Sequence, residues 1–198
     1  FNRRAGVTGT GLIVAGGNAA QVISGSAVSG GATTNATLTI GNVRVGAHNL
    51  NYAIGASGTA GPMLRGALQT SVNGANLSDS RLSGTGVTAN NYNAGAPTGS
   101  GETRTVTFSV ASAGAIAPLN GQVLNLRSNF ENIADQKLNI VLGAGAAAFN
   151  VAGGTATPSP VQLAAQRVAG TLSTVLNVSN TAAAGVFSED LNASFSSF

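Results

Sequence analysis

The sequence predicts an all-β fold, an antiparallel β-sandwich followed by a second, incomplete sandwich at the C-terminus. Three observations predict it. Apolar and polar residues alternate with a period of two in five separate stretches. Clusters of Gly, Asn, Pro and Ser separate those stretches. Helical periodicity is scarce, and Gln162 to Val168 reads better as extended chain than as a helical turn.

Taken in chain order, Gly9 to Val14 and Gln21 to Ser24 are short, apolar and strand-like. Ser24 to Asn35 is a Ser/Gly/Ala/Thr stretch that reads as a linker or a long surface turn. Thr37 to Ile40 opens the first clear alternation. Thr103 to Val110 follows, with Val106, Phe108 and Val110 on one face. Val123 to Arg127 and Lys137 to Leu142 continue the pattern, and Thr174 to Ser179 repeats it. Such alternation gives one buried and one solvated face, as antiparallel sheets have. The separators are Gly55 to Pro62, Asn90 to Gly101, Ala117 to Gly121 and Gly153 to Pro160. The last contains Pro158 and Pro160, which bias their predecessors to extended backbone, and reads as a linker.

Composition narrows the function classes. Charged residues are 8% of 198, against about 25% in an ordinary soluble domain, and the net charge is +3. The basic residues are scattered along the chain, so no focused phosphate-binding face is expected and nucleic acid is not an expected partner. The absence of Cys excludes disulfide staples, thiol catalysis and Cys-ligated zinc. The longest charge-free apolar-leaning run, Leu138 to Gly154, is broken by Asn and Gly, so no membrane span is expected. A weakly charged, polar surface suits exported and assembled proteins. The chain starts at Phe1 without a Met or a signal pattern, which reads as a processed or excised piece.

An internal repeat organises the chain. Val43 to Gly46, Leu50 to Ile54, Thr59 to Gly61 and Leu68 to Val72 recur as Arg167 to Gly170, Leu172 to Leu176, Thr181 to Gly185 and Leu191 to Phe195. The offset is close to the ~100 residues of an immunoglobulin-like sandwich. Three parts follow: residues 1–35, an N-terminal extended segment able to donate a strand; 36–152, a complete sandwich; and 153–198, a linker and a partial second β domain.

The second copy carries family-like residues. Arg167-Val168, then Leu176-Asn177-Val178-Ser179-Asn180-Thr181-Ala182, then Gly185-Val186-Phe187-Ser188-Glu189-Asp190-Leu191-Asn192-Ala193 resembles the choice-of-anchor D domain of bacterial surface proteins. Ile40 to Gly46 resembles the start of the same motif, whereas Pro62 to Gly66 departs from its core. The resemblance implies an immunoglobulin-like β-sandwich on an exported, surface-attached or fibrous bacterial protein. It implies no catalysis.

Residue chemistry agrees. His48 is the single histidine and reads as a turn or strand-edge residue. Gly143 to Ala148 matches a dinucleotide fingerprint in letters, but no helix and no acidic ribose ligand follow it, so it reads as a turn. Asn76, Ser78, Asp79 and Ser80 are the one modest calcium candidate; Asp79 and Ser80 read better as turn builders. Phe108, Phe130, Phe149, Phe187, Tyr52 and Tyr92 read as core rather than as a sugar platform. No catalytic residue, cofactor or metal is expected.

The expected function is a structural subunit of an extracellular bacterial filament or surface assembly, built from copies of itself by head-to-tail β-strand complementation. The expected interface residues are Leu12, Ile13, Val14, Val22 and Ile23 from the donor segment, and Val175, Leu176, Val178, Phe187, Leu191 and Phe195 from the partial domain. The alternative is an adhesin-type module of a longer repetitive surface protein, binding a glycan or host-surface ligand through loops such as Asn90 to Gly101.

Overall fold

The computed structural model describes residues 11–16, 22–24, 27–30, 35–57, 63–69, 71–72, 75–76, 79–95, 101–120, 122–131 and 133–194. These residues form strands and no helix. In chain order the strands are β1 (Gly11–Gly16), β2 (Val22–Ser24), β3 (Ala27–Gly30), β4 (Ala36–Ile40), β5 (Asn42–Arg44) and β6 (Gly46–Ser57). Then come β7 (Leu64–Gln69), β8 (Ser71–Val72), β9 (Ala75–Asn76), β10 (Leu82–Ser83), β11 (Asn90–Gly95) and β12 (Glu102–Val110). The last are β13 (Gly114–Ala115), β14 (Gln122–Ser128), β15 (Gln136–Leu142), β16 (Ala147–Phe149), β17 (Gly154–Thr157) and β18 (Asn177–Asn180).

Two larger sheets carry the core. One has the order β1-β6-β12-β10 and the other β11-β7-β14-β15-β4-β3. Their inward side chains follow the period of two. From the first sheet come Leu50, Tyr52, Ile54, Val106 and Phe108; from the second come Leu38, Ile40, Leu64, Leu68, Leu124, Leu126, Leu138 and Ile140. All pack in one cluster, the arrangement of a β-sandwich. A smaller sheet, β13-β16-β5-β2, adds Val43 and Ala148 to that cluster.

Pairing is not antiparallel throughout. β15 runs parallel to β4, and β16 runs parallel to β5. Each parallel pair joins segments about a hundred residues apart, and the crossover that a parallel pair needs is supplied by the strands between. Local alternation carries no information about such distant partners.

Several expected loops are strands. Ser24 to Asn35 contains β3, which pairs antiparallel with β4. Asn90 to Gly101 contains β11, because Tyr92 and Ala94 supply an inward face while the Asn residues sit outside on an edge strand, where polar side chains are tolerated. Gly153 to Pro160 contains β17. His48 is not at a turn: it lies in β6, buried, opposite Phe108 of β12. Gly143 to Ala148 does turn the chain, with Ala146 N–H donating to the Gly143 carbonyl.

Asp79 shows how polar groups secure the loops. Its carboxylate accepts from the Arg81 backbone N–H (3.0 Å), from Arg81 Nε (2.8 Å) and Nη2 (2.7 Å), and from Asn120 N–H (3.1 Å). Arg81 goes on to donate to the carbonyls of Ala117 and Pro118 and lies 5.9 Å over the Phe108 ring. The turn-building role expected of Asp79 is thus the one it plays, while Ser78 lies outside the described residues.

The Arg81 hydrogen bonds hold the Asp79 carboxyl well below the usual carboxylate range. The charged form is favoured in the fold, so this stabilisation is complete above the unfolded value near ~4 and is lost as the pH falls from there through the folded value. Asp79→Asn is expected to cost about 2 kcal/mol at neutral pH and to flatten the stability profile below about pH 4, which urea titrations at several pH values measure.

Candidate functional site

The expected interface residues fall into two groups in different places. Leu12, Ile13 and Val14 lie in β1, opposite Ala56, Gly55 and Ile54 of β6 in the same chain. Val22 and Ile23 lie in β2, where Val22 stands opposite Val43 of β5. β1, β2 and β3 each occupy the outer edge of a sheet. The N-terminal segment, expected as a donor, therefore already pairs with sheets of its own chain.

The second group sits around a separate two-stranded ribbon, β17 with β18. Ala156 stands opposite Val178, and Gly154 opposite Asn180. Every residue of both strands is exposed. Val178 is exposed, Val175 is 75% exposed, and Leu176 is half-buried. Val161, Leu163, Val168, Leu172 and Val186 are exposed as well. Phe187 and Leu191 are half-buried, with Leu191 beside Gly154. Phe195 lies outside the described residues. The buried face that the alternation of Thr174 to Ser179 predicts is not formed: no second sheet lies over this ribbon among the described residues.

The ribbon region is tied to the larger unit at one end. Phe149 and Phe187 meet edge-to-face at 5.9 Å. Asn150 N–H donates to the Phe187 carbonyl (2.9 Å), and Glu189 N–H donates to the Asn150 carbonyl (3.0 Å). Arg44 Nε pairs with Glu189 Oε1 at 2.6 Å, and that hydrogen bond holds the Glu189 carboxyl below its usual range. Arg44 of β5 thus ties the larger unit to the stretch Gly185 to Ala193 through Glu189.

Among the described residues, four carboxylates are each paired with an arginine: Asp79 with Arg81, Glu102 with Arg104, Asp135 with Arg127 and Glu189 with Arg44. His48 Nε2 contacts the Arg44 carbonyl, and its Nδ1 is buried without a hydrogen-bond partner. Tyr52 donates from its hydroxyl to the Gly86 carbonyl at 2.9 Å, and burial pushes that hydroxyl well above its usual pKa. Phe108, Phe130, Tyr52 and Tyr92 are core residues.

One polar cleft was only half visible in the sequence. It opens where β11, β7 and β12 meet, and Arg65, Gly66, Asn91, Tyr92, Asn93 and Glu102 line it. The Asn-rich run around Tyr92 marks β11, but nothing in local spacing brings Arg65 or Glu102 to it. The register does: Arg65 is the cross-strand partner of Asn93. An apolar groove of about 440 Å³ lies elsewhere, among Ile116, Leu119, Ile140 and Leu142. No helix among the described residues is long and apolar enough to cross a membrane. Neither a protein family, nor a curated protein, nor a solved structure matches this chain.

Proposed function

We propose that the chain is a non-catalytic structural subunit of an extracellular bacterial filament or surface assembly, with immunoglobulin-like units, in which copies join by β-strand complementation. The resemblance of Arg167 to Ala193 to choice-of-anchor D domains points to the bacterial surface. The single observation that carries the assembly reading is the β17–β18 ribbon. Two strands cannot bury an apolar face alone, and this pair carries the exposed Val178, with the exposed Val175 just before β18, and has open backbone edges.

β17 pairs antiparallel with β18, as β1 pairs with β6, although Leu172 to Leu176, the counterpart of Leu50 to Ile54, is not a strand. In the larger unit β6 has β12 on its other side, and β18 has no such partner among the described residues. A second copy supplies the missing strand. Because β1, β2 and β3 already pair in their own chain, the complementing strand is an edge of an otherwise folded neighbour rather than a loose N-terminal tail. Low charge allows the close approach.

Sedimentation velocity over a concentration series tests this. The whole chain is expected to form concentration-dependent oligomers, and the double variant V175E/V178E is expected to stay monomeric with its urea midpoint unchanged. A wild-type chain that remains monomeric at ~1 mM contradicts the reading, because an association that weak is worth only about 4 kcal/mol.

A further inference from the structure

We propose that the cleft between β11, β7 and β12 binds a neutral saccharide. This goes beyond the assembly reading and does not depend on it, because the cleft lies wholly within the larger unit.

The cleft is about 460 Å³, within the roughly 300–1,000 Å³ of small-ligand sites, and it is open to solvent. Its polar groups are fixed from beneath. The buried Arg104 donates from Nη2 to Glu102 Oε1 (2.7 Å) and to the Asn91 carbonyl (2.6 Å). Asn93 N–H donates to Glu102 Oε2 (2.6 Å). The Glu102 carboxylate is therefore held in place with about a third of its side chain still exposed. A β-bulge between Asn93 and Gly95 re-aims the edge strand here, with Gly95 at φ 76° and its N–H donating to Asn93 Oδ1.

The chemistry selects the ligand class. One carboxylate and one guanidinium, Glu102 and Arg65, share the cleft with two carboxamides, Asn91 and Asn93. Arg104 compensates Glu102 from beneath, Arg65 repels a cation, and the exposed edge of the Glu102 carboxylate repels an anion at close range, so a neutral ligand is the one that meets no like charge. A neutral polyol both donates and accepts: its hydroxyls donate to Glu102 and to the amide oxygens, and accept from Arg65 and the amide nitrogens. Tyr92 is buried and offers no open ring face, so stacking contributes little and affinity is millimolar.

The test is an NMR titration of the ¹⁵N-labelled whole chain with methyl glycosides of glucose, galactose and mannose, up to ~100 mM, which covers millimolar dissociation constants. Saturable shifts confined to residues 64–67, 90–95 and 101–104 are expected with at least one glycoside. Arg65→Ala and Asn91→Ala, both exposed positions, are expected to weaken binding by about tenfold, the loss of one or two hydrogen bonds, without moving the urea midpoint. No saturable shift with any glycoside overturns the proposal. So do shifts that persist unchanged in both variants, or tighter binding of glucuronate or glucosamine than of the parent sugar.

Discussion

Gly66→Ala is expected to destabilise the fold by about 4 kcal/mol or more, among the largest effects a single methyl group can have. Gly66 sits in β7, with Tyr92 of β11 directly opposite on one side and Ser128 of β14 on the other. The Tyr92 side chain crosses over Gly66, and its hydroxyl donates to the Arg127 carbonyl at 2.9 Å. A Cβ at position 66 overlaps both that carbonyl oxygen and the Tyr92 hydroxyl. Neither obstacle yields easily: one is backbone in a paired strand, the other a buried ring. Glycine in a strand interior ordinarily weakens it, and here the aromatic ring covers the gap and turns the absence of a side chain into a packing requirement. Gly143→Ala is the control. A Cβ there meets only ordinary contacts, 3.5 Å or more away, so a change within about 1 kcal/mol is expected. Urea denaturation followed by near-ultraviolet circular dichroism measures both. Equal effects at the two glycines contradict the packing account.

Arg104→Ala is the second large effect, expected to cost about 3–5 kcal/mol. The guanidinium is 2% exposed and bridges three chain segments. Nη1 donates to Asn90 Oδ1 and to the Thr85 carbonyl (3.2 Å), while Nη2 reaches the Asn91 carbonyl and Glu102. It thereby ties β12 of one sheet to β11 of the other and to the turn before β11. Its Nε is left without a hydrogen-bond partner. Arg104→Lys is expected to recover only a minor part of the loss, because a single ammonium cannot span these acceptors as the planar fork does. Glu102→Gln is expected to cost far less, about 1 kcal/mol, since that side chain is about a third exposed and keeps an acceptor oxygen. If Glu102→Gln costs as much as Arg104→Ala, the charge pair rather than the bridging geometry holds the two sheets.

The sequence made the central strands plain and left their partners hidden. β4, β12, β14 and β15 follow from alternation alone, because each has one face in the core. β11 was obscured by its Asn residues, which mark turns when read locally and an exposed edge when Tyr92 and Ala94 are inward. The parallel neighbours of β15 and β16, and the cis pairing of β1, β2 and β3, depend on contacts far along the chain that no window of residues contains. Likewise, the sequence marked Asn90 to Gly101 as an expected ligand-contact loop. The cleft beside it was not legible, because Arg65 arrives by strand register and Glu102 by its pairing with a buried arginine. Alternation in Thr174 to Ser179 foretold a strand with one buried face; only Asn177–Asn180 is a strand, and all of its residues are exposed.

The central claim is that this uncovered ribbon is completed by a second copy. The chain has no cysteine, so Thr174→Cys, at an exposed position, accepts a single spin label. Mixing this spin-labelled ¹⁴N chain with the ¹⁵N wild-type chain, which has no cysteine to label, reports only contacts between copies. Intermolecular broadening that grows with concentration and concentrates on the edge strands of the ¹⁵N chain is the predicted result. Broadening that is absent at every concentration, or spread evenly over the surface, contradicts it.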